Sequence, residues 1–173
     1  MKKQDTLENQ VNYAYLAIGS NLGKKIFNLI KTKFKLATSG IHIIKSSGFY
    51  FTKSWPNPNF PDFINAVLFV RTNLSLTNLF KQIKLIEKSL GRVKTKKNYP
   101  RTCDIDIIDF NGKCYNLKNI NLIVPHARME KRNFVLLPLY EINKNWTHPK
   151  TKKNIVNLLS NLKGDDIRSI KLI

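Results

Sequence analysis

Apolar positions along the chain follow two periods, and the changes between them mark the predicted elements. Tyr13-Ala-Tyr-Leu-Ala-Ile18 is a short apolar run that stops at Gly19-Ser-Asn-Leu-Gly23, which predicts a strand followed by a turn. From 26 to 37, apolar residues recur at helical spacing between lysines, so we predict an amphipathic helix that ends near Gly40. Residues 41–51 are rich in β-branched and aromatic side chains and predict a second strand.

The middle of the chain repeats this order after a loop. The segment Trp55-Pro-Asn-Pro-Asn-Phe-Pro61 cannot continue a strand, because its three prolines lack an amide donor and fix φ. Residues 62–72 alternate between two faces, as a strand does, and 76–90 carry apolar residues at helical spacing up to Gly91. A third strand and a second helix are therefore predicted here.

A basic loop, 92–101, leads into the last predicted elements. Residues 103–110 have the composition of a strand, and Asn111-Gly112 after them is a strong hairpin signal. A third helix is expected to begin near Glu130. The order β-α-β-β-α-β predicts an α+β, ferredoxin-like fold, with helices packed on one face of an antiparallel sheet.

Length and composition restrict the classes of protein that this chain can belong to. Its 173 residues suit a single domain, for which we predict the bounds 13–173, preceded by a polar, mobile tail at 1–12. The first residues lack the apolar stretch of a secretory signal, and no apolar run is long enough to span a bilayer. Two cysteines, Cys103 and Cys114, make no disulfide framework and favour the cytoplasm.

The net charge of +19 raises a question of partners. A polyanion such as nucleic acid is one explanation. The other is general compositional drift, because lysines are spread along the chain from Lys2 to Lys171. The same positive field would also steer a highly charged small substrate such as ATP toward the protein.

Asp104 and Asp106 are the first candidates for chemistry. They lie two apart on a predicted strand, so both carboxylates emerge on one face. Two such carboxylates repel unless a cation lies between them, and Mg²⁺ suits a site of a few carboxylates, waters and phosphates. Alone, the pair is more typical of a solvated strand edge than of a metal site. Arg101 and the basic loop just before it favour the metal and phosphate interpretation.

Other candidates surround this pair in sequence. Arginine is the better bidentate phosphate ligand in a chain whose basic residues are mostly lysine, although surface charge is the alternative for each. His126 follows a proline and could bind phosphate or ribose, or only cap a loop. Aromatic residues near polar loops could stack on a flat heterocycle or belong to the core. The candidates are Arg92, Arg101, Arg132, His126, Trp55, Phe63, Tyr99 and Phe134.

Seven motifs together resemble the 6-hydroxymethyl-7,8-dihydropterin pyrophosphokinase (HPPK) family, over about Tyr15 to Leu159. They occur in that family's order and at near-family spacing. The motifs are Ala17-Ile-Gly-Ser-Asn-Leu-Gly23, Phe49-Tyr-Phe-Thr52, Pro61-Asp-Phe-Ile-Asn-Ala-Val67, Glu87-Lys-Ser-Leu-Gly-Arg-Val93, Pro100-Arg-Thr-Cys-Asp-Ile-Asp-Ile-Ile108, Val124-Pro-His126 and Arg132-Asn-Phe-Val-Leu-Leu-Pro-Leu139. The chain departs from the family in a loop one residue shorter before Pro100, in Cys103 for an aliphatic residue, and in Lys84 for a common glutamine.

The resemblance implies an enzyme of folate biosynthesis that transfers pyrophosphate from ATP to the pterin alcohol and releases AMP. It implies two Mg²⁺ ions on Asp104 and Asp106, with Arg92 and Arg101 as catalytic residues. The implied ATP-binding residues are Glu87, Arg92, Arg101, Ile107, His126 and Arg132. The implied pterin-binding residues are Gly19, Thr52, Trp55, Phe63, Asn65 and Phe134. The loops 53–60 and 93–100 are expected to close over the nucleotide.

Partners and alternatives follow from the same residues. We expect a monomer that binds small-molecule substrates, with no nucleic-acid or membrane partner. A non-enzymatic RNA-binding module is the main competing hypothesis, since a ferredoxin-like sheet with high positive charge resembles an RNA-recognition domain in outline. A catalytically silent relative acting as a scaffold is the third hypothesis, and the intact Asp104, Asp106, Arg92 and Arg101 argue against it.

Overall fold

A computed structural model describes residues 10–54, 57–93 and 99–173, apart from the side chain of Asp166. Within these ranges the chain forms eight strands and five α-helices, with single 3₁₀ turns at Lys118–Ile120 and Met129–Lys131. In chain order the elements are β1 (Asn12–Ser20), α1 (Lys25–Thr38), β2 (Ile41–Ser46), β3 (Tyr50–Thr52), β4 (Phe63–Thr72), α2 (Leu76–Ser89), β5 (Asp104–Phe110), β6 (Tyr115–Leu117), β7 (Leu122–Val124), α3 (Asn133–Ile142), α4 (Ile155–Ser160), α5 (Gly164–Arg168) and β8 (Lys171–Leu172).

The main sheet is antiparallel throughout and has the order β5-β1-β4-β3-β8, with β2 also paired to β4. The central strand β1 places Gly19 between Asn65 of β4 and Asp104 of β5. Strands from distant parts of the chain therefore meet at one end of the sheet. The expected antiparallel sheet with helices packed on it, an α+β architecture, is confirmed.

Helices cover both faces of the sheet, whereas the sequence predicted helices on one face. The first core packs α1 and α2 against side chains such as Leu16, Ile18 and Leu68. The second core packs α3 and α4 against Val67 and Ile108, which point to the other face. In β4, consecutive residues from 64 to 68 are buried because this strand is covered on both sides.

The predicted strand 41–51 is interrupted, and this prediction is corrected to two strands, β2 and β3. At the interruption, the Ser47 hydroxyl accepts a hydrogen bond from the Val67 amide (2.9 Å), and the Gly48 amide donates to Glu141 Oε1 (3.0 Å). Here backbone amides donate to side-chain oxygens, whereas in a regular sheet they donate to backbone carbonyls of the neighbouring strand. The third helix also begins later than predicted, at Asn133, because residues near Glu130 form a 3₁₀ turn.

The turn at Asn111-Gly112 has positive φ at both residues, 55° and 63°, as the hairpin signal predicted. One bridge, Phe110 to Lys113, follows the turn, and the next strand β6 pairs with β7 in a separate two-stranded sheet. The predicted domain boundary at 13 lies one residue inside β1, and residues 1–9 of the predicted tail lie outside the described ranges. Across the described residues, no helix combines the length and apolarity needed to cross a bilayer.

Candidate active site

A cavity of about 760 Å³ lies over the end of the sheet where β1, β4 and β5 meet the beginning of α3. Most of the site residues predicted from sequence line it, although they come from segments that are far apart in the chain. The predicted residues at the cavity are Gly19, Thr52, Phe63, Asn65, Arg92, Arg101, Asp104, Asp106, His126, Arg132 and Phe134. Trp55, the remaining predicted pterin contact, lies outside the described residues.

Asp104 and Asp106 stand on one face of β5, alternating with the buried Ile105. Asp104 Oδ1 accepts a hydrogen bond from Arg92 Nη1 at 2.6 Å, and its Oδ2 lies 3.3 Å from Arg101 Nη1. The two carboxylates keep 25% and 28% of their side-chain surface exposed, which leaves oxygen atoms open to the cavity. The strand therefore presents both carboxylates to the same space, as their spacing predicted.

Asp106 has its own cationic neighbours. Arg132 Nη1 donates to Asp106 Oδ2 at 2.9 Å, and His126 Nε2 lies 3.7 Å from the same oxygen. Burial acts to raise the pKa of Asp106, but His126 and Arg132 outweigh it, so this pKa lies below its usual value. Burial lowers the pKa of His126, and the nearby Asp106 does not fully offset that effect.

Arg101 carries a further sign of an anionic ligand. Its Nε atom is buried and has no hydrogen-bond partner among the described residues. A buried donor without an acceptor is costly, and such a group in a cavity is well suited to a ligand oxygen. Arg101 is held nearby through its backbone amide, which donates to Asn21 Oδ1 at 2.8 Å.

Glu87, which the sequence predicts to help bind the nucleotide, lies behind the cavity wall and is not among the described residues that line the cavity. The residue is 2% exposed. Its carboxylate accepts hydrogen bonds from the Ile105 amide (2.8 Å), Lys84 Nζ (2.8 Å) and Arg92 Nη1. Ile107 is likewise buried, and its backbone belongs to the ladder with Leu16 of β1. Glu87 therefore contacts the cavity through Arg92 and β5.

The other end of the cavity is lined by two aromatic side chains. Phe63 and Phe134 line it, and the guanidinium carbons of Arg101 and Arg132 lie 5.9 and 5.4 Å from their respective ring centroids. A flat heterocycle can stack on such rings. The aromatic end is thus joined directly to the arginines of the carboxylate end.

Polar atoms at the aromatic end are held in place by close packing. Asn65 Nδ2 donates to Thr52 Oγ1 at 2.9 Å. Gly19 is required beside them, because a Cβ at this position would lie 2.8 Å from Asn65 Oδ1. Asn65 and Thr52 therefore have fixed orientations, and they can recognise the hydrogen-bonding edge of a ring.

Several cavity residues were not singled out as binding residues from the sequence. In a chain with so many basic residues, spacing alone gave no reason to prefer particular ones, and Ser169 lies far from every motif. These residues are Ala17, Ile18, Lys53, Ser54, Lys84, Val93, Arg128, Lys131, Asn133 and Ser169. Tyr99, an aromatic candidate from the sequence, also lines the cavity.

The donor set limits how a metal could be held. Among the described residues, no three His, Cys, Asp or Glu side chains form a metal-binding group. A metal at Asp104 and Asp106 would therefore take its other ligands from water and substrate. This is the pattern of Mg²⁺ sites that bind nucleotide phosphates, so the two carboxylates fit Mg²⁺.

Comparisons with known proteins show which family the chain resembles. Residues 15–144 match the family model of 7,8-dihydro-6-hydroxymethylpterin-pyrophosphokinase (HPPK). The chain is 34% identical over 151 residues to 2-amino-4-hydroxy-6-hydroxymethyldihydropteridine pyrophosphokinase of Synechocystis sp., covering 87% of this chain and 76% of that protein. It is 38% identical over 139 residues to the protein of the same name from Aquifex aeolicus, covering 80% and 85% respectively.

Longer proteins also match. The folic acid synthesis protein fol1 of Pneumocystis carinii is 35% identical over 98% of this chain, which spans only 22% of that protein. A wild-type Plasmodium falciparum HPPK-DHPS structure with pterin and p-hydroxybenzoate matches with a TM-score of 0.74 and 17% identity, over 96% of this chain and 46% of that one. At that identity the structural match shows the fold alone.

Proposed function

This chain belongs to the 7,8-dihydro-6-hydroxymethylpterin-pyrophosphokinase family, and on that premise we propose that it transfers pyrophosphate from ATP to 6-hydroxymethyl-7,8-dihydropterin and releases AMP, a reaction of folate biosynthesis. One observation carries the proposal. A single cavity joins a cluster of carboxylates and arginines to an aromatic end with fixed polar atoms. A polyphosphate and a flat heterocycle can therefore meet there.

We assign the nucleotide to the end that contains Asp104 and Asp106. Arg92, Arg101 and Arg132 surround these carboxylates and offer guanidinium groups to phosphate oxygens. The unsatisfied Nε of Arg101 supports this role, since a phosphate oxygen would satisfy it. His126 would donate to the nucleotide as well. Glu87 would act indirectly, by holding Arg92.

We assign the pterin to the end between Phe63 and Phe134. The rings would stack on the heterocycle, while Asn65 and Thr52 would recognise its polar edge with Gly19 close behind. Trp55 remains a predicted contact from its place in the sequence. This assignment places the hydroxymethyl group toward the arginines, because Arg101 and Arg132 lie next to the two rings.

Mg²⁺, proposed as two ions on Asp104 and Asp106, would neutralise phosphate charge and polarise the attacking alcohol when bound. The chain's own residues position the two substrates in line. The hydroxymethyl oxygen then bonds to the β-phosphorus and gives up its proton to solvent, the bond from that phosphorus to the α–β bridging oxygen breaks, and AMP leaves. Arg92 and Arg101 would stabilise the charge that develops during this transfer. Closure of the loops 53–60 and 93–100 over the nucleotide also remains a prediction, and residues 55–56 and 94–98 of these loops lie outside the described ranges.

Other features of the proposal rest on sequence and topology. The sheet order β5-β1-β4-β2, with α1 and α2 on one face, supports the ferredoxin-like description. We propose a single domain over 13–173 that acts as a monomer on small molecules, without nucleic acid or membrane. A cytoplasmic location is proposed from Cys103 and Cys114, which are both unpaired.

The decisive experiment supplies ATP, Mg²⁺ and the hydroxymethyl-dihydropterin and identifies the nucleotide product. AMP formation that requires the pterin supports the proposal, while ADP as the product or an absence of turnover refutes it. Chelation of Mg²⁺ should stop AMP formation, and added Mg²⁺ should restore it. Tight, Mg²⁺-independent binding of RNA without nucleotide turnover would favour the competing RNA-binding hypothesis.

A further inference from the structure

We propose that the segment 164–172 is part of the pterin site, and that Ser169 in it is a positioning residue for Phe134. This segment comprises α5 and β8 and lies beyond residues 15–144, which match the family model. It also lies beyond every motif that identified the family from sequence. The inference rests on the proposed function, because it assigns the aromatic end of the cavity to the pterin.

The segment is attached to the strand that carries Thr52. β8 pairs antiparallel with β3, with Leu172 opposite Tyr50 and Lys171 opposite Phe51. The Ile173 amide donates to the Phe49 carbonyl at 2.9 Å, which extends the pairing. In an antiparallel register, the residues that precede Lys171 run alongside the residues that follow Phe51. The pairing therefore directs the chain before β8 toward Thr52 and the cavity.

Residues next to and within β3 also contact side chains of β8 and α3. A Cβ at Gly48 would lie 2.6 Å from Leu172 Cδ1, so the Leu172 side chain packs directly over the Gly48 backbone. Glu141 accepts hydrogen bonds from the Gly48 amide at 3.0 Å and from the Tyr50 hydroxyl at 2.8 Å. The backbone and side chain that flank β8 are thus hydrogen-bonded to α3, the helix that also carries Phe134.

Ser169 links this segment to the stacking residue. It lines the cavity, and its hydroxyl accepts a hydrogen bond from Asn133 Nδ2 at 3.1 Å. Asn133 Oδ1 in turn accepts from the Phe134 amide at 2.7 Å. Because Asn133 and Phe134 are the first residues of α3, this relay fixes the start of the helix. Ser169 thereby acts on the position of the Phe134 ring.

The segment 164–172 is largely exposed to solvent, so it contributes little to the stability of the fold. Ile167 and Leu172 are 38% and 62% exposed, and neither belongs to the two buried cores among the described residues. Removing the segment therefore takes little apolar surface from the interior. We expect its loss to affect binding of the pterin far more than folding.

The test compares three variants with the wild-type chain, namely Ser169→Ala, Ser169→Thr and a chain that ends at Lys163. The Michaelis constants for pterin and for ATP are measured separately, together with kcat and the melting temperature. Ser160→Ala is the matched control, because the Ser160 hydroxyl bonds only the Asn157 carbonyl among the contacts described, and neither residue is among the described residues that line the cavity.

We expect Ser169→Ala to raise the KM for pterin about fivefold, the effect of one net hydrogen bond, with the KM for ATP unchanged. Ser169→Thr should retain wild-type values because it keeps the hydroxyl, and the shortened chain should raise the pterin KM about tenfold or more. Equal pterin KM values for the wild type, Ser169→Ala and the shortened chain would refute the inference, as would equal changes for both substrates. If the wild-type chain makes no AMP, the proposed function itself fails, and pterin binding by fluorescence titration then tests the segment by itself.

Discussion

Replacing Glu87 by glutamine removes a buried negative charge and keeps the shape of the side chain. The carboxylate receives hydrogen bonds from the Ile105 amide, Lys84 Nζ and Arg92 Nη1, and Glu87 is 2% exposed. The side-chain amide of the Glu87→Gln variant could accept on its oxygen only, so at least one of these donors would face an NH₂ group. We therefore predict that the substitution lowers the free energy of unfolding and loosens Arg92.

The magnitude follows from the exposure of the partners. Breaking a fully buried ion pair costs about 3–5 kcal/mol. Here the partners are less buried, since the side chains of Lys84 and Arg92 are 44% and 27% exposed, and water can solvate them when the carboxylate is lost. We expect a loss of about 2–3 kcal/mol. For a chain of this length that corresponds to a fall in melting temperature of about 5–10 °C.

The assay measures thermal unfolding, kcat and the KM for ATP of Glu87→Gln, with Glu141→Gln as the control. Glu141 also accepts two hydrogen bonds, but it lies at the surface, so its substitution should lower the melting temperature by no more than about 3 °C. We also expect Glu87→Gln to lower kcat about tenfold, because Arg92 is then no longer held in position to stabilise the developing charge. An unchanged melting temperature together with a raised KM for ATP would show that Glu87 contacts the nucleotide directly.

Three further predictions test other parts of the site and fold. Asp106→Asn should lower AMP formation at least about 100-fold and lower the melting temperature by no more than about 3 °C, because a partly exposed carboxylate loses its charge and its ion pair with Arg132 without loss of volume. Phe134→Leu should raise the pterin KM about three- to tenfold without changing the KM for ATP, as measured by steady-state kinetics. Burial lowers the pKa of His148 despite the opposing charge of Glu130, so the folded state binds this proton less readily than the unfolded chain. Stability should accordingly fall as the pH drops below about 6.5, and His148→Gln should flatten this dependence in denaturant titrations at about pH 5–7.

The regular elements could be predicted from sequence because their signals are local. Helices α1 and α2 have clear apolar periodicity, and each is followed by a glycine with positive φ, Gly40 and Gly91. The break between β2 and β3 could not be predicted in this way. It depends on Val67 and Glu141, which lie 20 and 93 residues from their partners Ser47 and Gly48.

The site residues also differ in whether local sequence or long-range packing identifies them. Asp104 and Asp106 could be identified by their period-two spacing on a strand, and the family motifs added the arginines and the aromatic residues. The burial of Glu87 was not visible in its motif, because only the packing of α2 against β5 shows that its carboxylate bonds the Ile105 amide. Ser169 could not be identified for a similar reason, since its approach to the cavity depends on the pairing of β8 with β3.

The ion pairs in this structure imply an exchange of partners during the proposed reaction. Arg92 and Arg101 pair with Asp104, and Arg132 pairs with Asp106, yet the proposal assigns the arginines to phosphate and the carboxylates to Mg²⁺. An arginine that moves to a phosphate oxygen leaves its aspartate without a cationic partner. A cation that arrives with the nucleotide can take the place of the arginine at that carboxylate. The arginines thus offset the charge of the two neighbouring aspartates before substrate binds, and ATP without its metal would meet carboxylates that still pair with their arginines. Binding of nucleotide should therefore be much weaker in the absence of Mg²⁺, and Asp106→Asn should reduce that difference because Arg132 is then free for phosphate.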